Sequence, residues 1–468
     1  MTDSPTRTER DAFGEVEVPA DRYWGAQTAR GLKLYRIGDD RLPSDVPRAF
    51  GLQKLAAVRA NRELGQIDER LAAAIEQAAR ELADGKFDDH FPLPVWQVGS
   101  GTATNMNANE VIANRANELL GSQLGAKDPV HPNDHVNRGQ SSNDSFPTVM
   151  HIATVLAAKA TLAPALETLR QALEAKAAEF GEIVKIARTH LQDAVPMTLG
   201  QAFGSYARQI ELGEARLSEA LERLYPVAQG GTAVGTGLNA VAGFDVAFAK
   251  HLAAITDCPF VANPNKFEGM GAHDALVEFS GALNTIAVSC VRIGDDIRYL
   301  GAGPRAGHAE LVLPHDGLTS SIMPGKRNPT VAEALAQVCY QVFGAHATVT
   351  HAGAAGRFEL NVAKPIILFN VLKSLQNLGD AARLFADDLV SGIQPNQERL
   401  KRYVDQSIMI ATALNPHLGY DKVSKIANKA LEEDISPKQA AIDLGFLTAE
   451  EYDDLIDPRD MLGPSPAD

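Results

Sequence analysis

The sequence predicts an all-α fold in which long helices form a central bundle. Between residues 276 and 300, apolar side chains recur three and four positions apart without a break, a heptad pattern typical of packed helices. A second apolar run with the helical period covers 152–173. Two shorter amphipathic runs cover 48–64 and 68–84, and a glycine, the residue that most often ends a helix, follows each one. Apolar faces this numerous bury one another in a bundle.

These patterns divide the chain into three predicted domains. The N-terminal domain covers 1–138 and opens with a polar, irregular arm before its first helices. The long helical patterns fall within 139–396, which we assign to the bundle. Shorter helical runs, broken at Asn415-Pro416 and at Gly445, predict a small C-terminal domain over 397–468. The two outer domains are expected to be mostly helical and to flank the bundle.

Composition and charge restrict the classes of partner. Of the 468 residues 45% are hydrophobic, and the formal net charge is -15. This charge argues against a nucleic acid or an anionic membrane as partner, because either would need a basic surface. The longest uncharged helical run, 279–291, is shorter than the ~20 residues that span a bilayer. The first thirty residues lack the apolar core of a secretory signal, so we expect a soluble protein.

The cysteines and histidines predict neither disulfides nor a metal site. Cys258, Cys290 and Cys339 lie far apart in the sequence, which favours a reducing, cytoplasmic location. His131, Asp134 and His135 could pass for metal ligands. Pro132 would disturb the helix that such a histidine pair needs, and we therefore expect no metal.

Two stretches rich in hydroxyl and amide side chains precede helical patterns. The stretch 96–109 leads into a helix expected over 110–120, and the run 141–144 is expected to cap the long helix that follows it. Backbone N–H groups at a helix start can bind a carboxylate. Ordinary capped loops have the same composition, so the residues alone leave both interpretations open.

The stretch 317–330 is expected to be a loop, because two prolines and a glycine interrupt any regular element. Backbone N–H groups in its glycine-containing turn, helped by Lys326, could stabilise a serine alkoxide. Ser320 or Ser321 is therefore a candidate catalytic group, although an ordinary surface loop would look similar. A second candidate is His190, which lies in a polar turn between two helical patterns and can carry protons at about pH 7. A solitary histidine can equally be structural.

The signature loop of the fumarase and aspartase superfamily is similar to residues 320–329, Ser-Ser-Ile-Met-Pro-Gly-Lys-Arg-Asn-Pro. Members of that superfamily reversibly eliminate water, ammonia or an amine to release fumarate. Further segments resemble the superfamily in the same order, so that nearly the whole chain is covered: 96–109, 131–144, 188–201 and 230–239. Within the superfamily, Asn263-Pro264-Asn265-Lys266-Phe267-Glu268 and the tail Leu414-Asn415-Pro416-His417 resemble the iron-independent, class II fumarases.

The resemblance implies a fumarase/aspartase-like fold and a role for each matching residue. Ser320 would remove the proton of L-malate next to a carboxylate, and Lys326 and Asn328 would stabilise the resulting aci-carboxylate carbanion. His190, oriented by Glu333, would protonate the departing hydroxide. The remaining matches would bind the substrate carboxylates: Ser100, Gly101, Thr102, Ser141, Ser142, Asn143, Thr189 and Ser321. No metal or organic cofactor is implied.

The resemblance also implies a homotetramer in which three subunits build each site, and a possible second carboxylate site at His131, Asn133 and Asp134. The segment 313–319 and Arg327 differ from the usual fumarase residues. Two other functions stay open: aspartate ammonia-lyase, which needs the same base and carboxylate cradle, and a non-catalytic helical assembly protein. The presence of the full catalytic set argues against the second.

Overall fold

The heptad pattern lies on one continuous helix, Asp274–Leu300. The computed structural model describes residues 5–318 and 320–464. All eight apolar residues of the pattern are buried in it: Leu276, Phe279, Leu283, Ile286, Cys290, Ile293, Ile297 and Leu300. The predicted helix and its buried face are therefore confirmed.

Further long helices occupy the region predicted as the bundle: Ser142–Ala157, Ala163–Glu179, Leu199–Glu222, Thr330–Gly353 and Lys364–Leu384. A turn of π-helix, Ala158–Leu162, joins the first two. The described strands pair only in twos: Thr6–Asp11 with Gly14–Pro19, Val184–Thr189 with Gln192–Thr198, Pro226–Val227 with Val261–Ala262, and Leu311–Val312 with Gln394–Pro395. The fold is thus dominated by helices, as predicted.

The chain divides into two compact units. Unit 1 comprises Met1–Pro164, Glu214–Ala287 and Val338–Asp380, and unit 2 comprises Ala165–Gly213, Val288–Gln337 and Ala381–Asp468. The boundaries between the units fall inside long helices. Our three-domain division has other boundaries and stays a prediction.

In unit 1 the N-terminal arm is more regular than the sequence indicates. A β-hairpin is followed by the helix Ala26–Leu34. The buried carboxylate of Glu110 accepts hydrogen bonds from the backbone N–H groups of Gly25 and Gln27, at 2.9 and 2.7 Å. These bonds attach the arm to the helix that carries Glu110. Further helices of this unit are Asp45–Glu63, Glu69–Ala83, Thr102–Leu119, Phe244–Thr256 and Lys266–Gly271.

In unit 2 the shorter helices are C-terminal: Gln397–Gln406, Asn415–Leu418, Tyr420–Glu433, Pro437–Asp443 and Ala449–Leu455. They enclose a small apolar core that includes Leu414, Ile426 and Ala440. Long helices also pack side by side in this unit, where Tyr206 donates a hydrogen bond to Asp296 Oδ2 at 3.2 Å.

Two described helical segments are long and apolar enough to cross a membrane by length and composition, Ser142–Glu179 and Asp274–Leu300. We expected no such segment from the sequence, because only uncharged runs were taken into account and the longest of these, 279–291, is too short to span a bilayer. Within the protein, 67% and 50% of the two apolar windows are buried. Such burial is typical of core helices that pack against other helices.

A neutral histidine lies in the core of unit 1. His151 Nδ1 lies 3.0 Å from the carbonyl oxygens of both Leu224 and Pro226, to which its N–H group can donate hydrogen bonds. Burial lowers the pKa of this imidazole to about 4, because a positive charge there would lose its hydration. The histidine of an unfolded chain titrates at about 6.5. Below that pH the unfolded chain therefore binds a proton that the folded chain excludes, and the contribution of His151 to stability falls with pH until about 4.

We predict that the free energy of unfolding of the wild type falls more steeply in acid than that of the His151→Asn variant, so that the gap between the two proteins narrows as the pH is lowered. The asparagine amide can donate to the same carbonyl oxygens but takes up no proton. Between about pH 8 and about pH 5 the wild type should lose about 2 kcal/mol relative to the variant. Thermal unfolding of both proteins at the two pH values measures this, and a gap that stays constant or widens in acid contradicts it.

Candidate active site

Hydroxyl and amide side chains of unit 1 form a hydroxyl cluster, which we define as Ser100, Thr102, Ser141, Ser142 and Asn143. Thr102 Oγ1 lies 2.8 Å from Ser100 Oγ and 2.7 Å from Ser142 Oγ, so that a chain of hydrogen bonds connects the first segment of the cluster, 100–102, to the second, 141–143. Asn143 Nδ2 donates to the carbonyl oxygen of Ala233 at 2.8 Å. The structure thus brings together residues that the resemblance assigns to substrate binding.

The first segment of the cluster corrects the predicted helix boundary. The helix begins at Thr102 rather than at 110, so residues 102–109, which we expected in a loop, are helical. Gly101 precedes the helix with a φ of 80°, a left-handed conformation that glycine adopts without strain. A Cβ atom at this position would lie 2.0 Å from Cδ2 of the buried Phe146. Only glycine fits here without displacing the ring.

The second segment is a helix start that caps itself. Ser141 is the N-cap of the helix Ser142–Ala157, as predicted, and its Oγ accepts from the N–H group of Asn143 at 3.2 Å. Asp144 completes the capping box by accepting from the N–H group of Ser141 at 2.9 Å.

The N-termini of two helices therefore lie at the hydroxyl cluster. The first-turn N–H groups of a helix have no acceptor within the helix, and the helix dipole places partial positive charge there. Hydroxyl groups beside them can donate further hydrogen bonds. This arrangement suits the binding of a carboxylate without a lysine or arginine side chain in contact with it.

In unit 2, His190 lies at the tip of a hairpin that the sequence did not indicate. The strands Val184–Thr189 and Gln192–Thr198 pair antiparallel, and His190 and Leu191 form the turn with φ values of 55° and 62°. Positive φ at both central residues is the type I′ geometry, which asparagine and glycine prefer. Neither residue here is of that type, and strained backbone of this kind concentrates at functional sites. The turn exposes the imidazole and the neighbouring Thr189.

A buried acid anchors this hairpin. Glu310 is 1% exposed and forms ion pairs with Arg188 at 2.5 Å and with Lys185 at 3.4 Å. Both cations lie on the first strand, and Arg188 is two residues from the catalytic candidate His190. Breaking a buried ion pair leaves an uncompensated charge, so these contacts hold the strand firmly.

The loop that contains Ser320 directs two backbone N–H groups at the hydroxyl oxygen of this residue. Ser320 Oγ accepts from the backbone N–H groups of Ile322 and Met323, at 3.4 and 3.2 Å. Ser320 is half-buried, whereas Ser321 is exposed. Two dipoles directed at one hydroxyl oxygen favour its ionised form.

An open cavity of about 950 Å³ lies beside this loop, and we call it the loop cavity. Its walls include Lys326, Asn328 and Glu333, three of the predicted catalytic residues. Glu333 lies in the first turn of the helix Thr330–Gly353, and Arg298 Nη2 lies 3.9 Å from its Oε1. The volume is in the range of small-molecule sites.

The segment that differs from the fumarase pattern helps to shape this region. Leu313, Pro314 and Arg327 line the loop cavity. Asp316 accepts hydrogen bonds from the N–H group of Leu318 and from the hydroxyl group of Thr330, and the latter bond is the largest cause of its lowered pKa. Thr319 lies outside the described residues.

Within unit 2, the described residues do not join His190 to the other catalytic candidates of that unit. The hydroxyl cluster belongs to unit 1, and the histidine hairpin and the serine loop belong to unit 2. In residues 5–318 and 320–464, no hydrogen bond or ion pair connects His190 with Glu333, its predicted orienting carboxylate. His190 does not line the loop cavity either.

The possible second carboxylate site is compact. His131 caps a turn of π-helix, Pro132–Val136, and its Nδ1 accepts from the N–H groups of Asn133 and Asp134 at 3.3 and 3.2 Å. We expected Pro132 to disturb helical structure, but it stands at the first position of this turn, where its missing N–H group is not needed. Among the described residues, no group of three or more His, Cys, Asp or Glu side chains is arranged to hold a metal ion.

Sequence reasoning missed two buried charges behind the hydroxyl cluster. Burial raises the pKa of Asp144 to about 6 and lowers the pKa of Lys54 to about 7. Asp144 was noticed only as part of a capping run. Lys54 lies in an amphipathic helix, where a lysine is ordinarily interpreted as a solvent-exposed residue, and no sequence signal distinguishes it.

Comparison with known proteins identifies similar chains along the entire length. The family described as Lyase matches residues 14–344, and the family described as Fumarase C C-terminus matches residues 410–463. A fumarate hydratase class II from Bradyrhizobium diazoefficiens is 56% identical over 98% of this chain and 97% of its own length. The human mitochondrial fumarate hydratase is 54% identical over 98% of this chain and 90% of its own length.

The fold is similar to solved structures of the same kind. The crystal structure of a class II fumarase from Schistosoma mansoni superposes with a TM-score of 0.95 at 41% identity, covering 98% of this chain and 99% of that one. A fumarate lyase:delta crystallin from Brucella melitensis, bound to cobalt, gives the same TM-score and identity and covers 100% of that chain.

We predict that Gly101→Ala destabilises the protein more than Gly121→Ala. Both glycines have a φ near 80°, so each alanine should cost about 1–2 kcal/mol of backbone strain. At Gly121 a Cβ meets no atom within 4 Å, whereas at Gly101 it collides with Phe146. That collision should cost about 1–3 kcal/mol more. Thermal unfolding of the two variants measures the difference. Equal unfolding temperatures would contradict the prediction, because the Phe146 ring would then move aside at no cost in stability.

Proposed function

The chain belongs to the class II fumarate hydratases, hydro-lyases that add water reversibly to fumarate to give L-malate, and we propose how its residues perform this reaction. The identity to named fumarate hydratases supports the reaction. The observation that carries the catalytic assignment is the pair of N–H groups directed at Ser320 Oγ beside the loop cavity. Aspartate ammonia-lyase, the nearest alternative, has no such support from these relatives.

In our proposal, Ser320 is the base for dehydration. Its alkoxide, held by the N–H groups of Ile322 and Met323, takes the proton from the malate carbon next to a carboxylate. The electron pair left on that carbon spreads into the carboxylate, which becomes an aci form with two negative charges. Stabilising that charge is the hardest part of the reaction.

Lys326 and Asn328 are proposed to stabilise the aci-carboxylate. Both side chains are exposed at the wall of the loop cavity, one as a cation and the other as an amide donor. Ser321 binds the same end of the substrate. The hydroxyl cluster, with Gly101 and Thr189, binds carboxylate oxygens through hydroxyl groups and helix N–H groups.

His190 is proposed to act on the leaving group. It protonates the departing hydroxide as the carbon–oxygen bond breaks, and in the hydration direction it removes a proton from the attacking water. Ser320 then returns its proton to the carbanion carbon, so the two groups exchange roles when the direction reverses. Glu333 orients the imidazole by accepting a hydrogen bond from the N–H group of its second ring nitrogen.

We also propose that the working enzyme is a homotetramer and that three copies contribute to each site. Among the described residues of one chain no hydrogen bond or ion pair joins His190 to Glu333, which supports this proposal. The long helices moreover leave large apolar side chains exposed, among them Val288 at 54% and Tyr340 at 55%. Apolar residues exposed on bundle helices are typical of subunit interfaces.

Two further assignments stay proposals. The cytoplasmic location is supported by three free, buried cysteines. The second carboxylate site at His131, Asn133 and Asp134 is supported by its compact turn. Neither proposal affects the reaction. The substrate is a small dicarboxylate, and no metal or organic cofactor enters the proposed steps.

We predict that Ser320→Ala lowers kcat for hydration by about a hundredfold to ten-thousandfold, the usual loss when a general base is removed. Ser321→Ala, the matched control one residue away, should instead raise KM with a smaller change in kcat. Loss of fumarate absorbance in the presence of EDTA gives both constants, with L-aspartate tested as an alternative substrate. Full activity of Ser320→Ala would overturn the assignment of the base, and fumarate formed only from aspartate would overturn the function.

We predict that Val288→Asp separates the subunits and abolishes activity together. A carboxylate in an apolar interface loses its hydration without gaining a partner. The control is Val246→Asp, because Val246 is 63% exposed on the shorter helix Phe244–Thr256. Light scattering after gel filtration gives the mass, and the same fractions are assayed. A fully active Val288→Asp monomer would contradict a site shared between subunits.

A further inference from the structure

A lysine ammonium group is buried behind the hydroxyl cluster. Lys54 lies on the helix Asp45–Glu63 and is 1% exposed. Its Nζ donates to three side-chain amide oxygens, those of Asn105 at 2.9 Å, Asn137 at 3.1 Å and Gln140 at 3.0 Å. An ammonium group has three donor hydrogens, so these bonds satisfy it completely.

These three bonds fix the two helix starts that form the cluster. Asn105 lies in the first turn of the helix that begins at Thr102, and Gln140 immediately precedes Ser141. One ammonium group therefore determines the distance between the two segments. A second contact between the two segments is the 2.7 Å hydrogen bond between the hydroxyl groups of Thr102 and Ser142.

A buried carboxylate fixes the second segment from its other side. Asp144 Oδ1 accepts from the N–H group of Ser141. Its Oδ2 accepts from the N–H groups of Gly230 and Thr232, each at 2.9 Å, and from Gln229 Nε2 at 3.0 Å. The loop held in this way supplies the Ala233 carbonyl oxygen to which the Asn143 side chain donates.

The two charges belong to one hydrogen-bond network. Gln53, the neighbour of Lys54, donates from Nε2 to Gln140 Oε1 at 2.9 Å and to Gln229 Oε1 at 2.7 Å. Gln140 thus receives bonds from both residues, and Gln229 passes the network on to Asp144. Gln53 Oε1 accepts no hydrogen bond from the described residues, but the other bonds of the network still restrict its members, because moving any one of them breaks several buried hydrogen bonds.

We propose that Lys54 and Asp144 are positioning residues for substrate binding: they hold the hydroxyl cluster in the one arrangement that receives a substrate carboxylate. Neither residue touches substrate in this proposal, and the inference rests on the proposed function of the cluster. The lowered pKa of Lys54 and the raised pKa of Asp144 show that burial of both charges costs free energy, and the hydrogen bonds of each charge offset part of that cost.

The kinetic consequence differs from that of a lost catalytic group. Carboxylate contacts are made equally in the bound substrate and in the transition state, so loosening them raises KM more than it lowers kcat. Ser320 and His190 keep their own surroundings, since both belong to unit 2.

The test compares Lys54→Met with Lys176→Met. Lys176 is also buried, and its described hydrogen bonds reach Glu179 and the Ile393 carbonyl oxygen rather than a proposed substrate ligand. Both variants should unfold at a lower temperature. Only Lys54→Met should raise KM for fumarate, by about tenfold or more. This rise corresponds to the loss of one or two hydrogen bonds between the misaligned cluster and the substrate carboxylate. Equal KM values for the two variants and the wild type would overturn the proposal.

Two milder variants keep the test decisive if Lys54→Met does not fold. Asp144→Asn preserves the shape of the side chain but directs an amide group at backbone N–H donors, and Gln140→Leu removes one acceptor of the ammonium group at a half-buried position. A raised KM with kcat largely retained in either one supports positioning. Wild-type constants in both folded variants overturn it. Failure of the proposed function is distinguishable, because the wild type itself would then not hydrate fumarate.

Discussion

The hydrogen bonds of the buried Asp144 carboxylate are the interaction on which the substrate-binding part of the structure depends. The same carboxylate caps the start of the helix Ser142–Ala157 and binds the backbone of the loop around Gly230. A carboxylate that is removed from water must find donors in the protein, and here every donor comes from a segment that borders the hydroxyl cluster. The binding geometry of the cluster and the stability of its surroundings therefore have one cause.

The distribution of charge follows from the reaction. A chain with a net charge of -15 repels a dianion on average, so positive potential must be local. Helix N-termini supply it at the hydroxyl cluster, and the side chain of Lys326 supplies it at the loop cavity. In our proposal, the helix N-termini bind the carboxylates of both substrate and product, and Lys326 stabilises the negative charge that develops during the reaction.

Much of the fold and of the site could be predicted from the sequence, for reasons that particular residues make clear. The heptad from Leu276 to Leu300 is a long periodic signal, and the dense polar run at Ser141 is a strong cap signal. The helical state of residues 102–109 could not be predicted, because threonine and asparagine are weak helix formers and tertiary bonds override that preference. One such bond joins the buried Asn107 Nδ2 to the His90 carbonyl oxygen at 3.0 Å. The role of Lys54 depends on partners 51 to 86 positions away, which no local pattern reveals.

Because His190 neither bonds to Glu333 nor lines the loop cavity in the described part of its own chain, our proposal of a shared site takes Ser320 and His190 from different copies of the chain. The most direct measurement is the activity of mixed tetramers, obtained by co-expressing a Ser320→Ala chain and a His190→Asn chain with different affinity tags. Each variant alone should be inactive, and random mixing should restore about a quarter of the wild-type sites, because some sites then receive both intact groups. Mixed tetramers that form but stay as inactive as either variant would show that both groups come from the same chain, and would contradict the shared site.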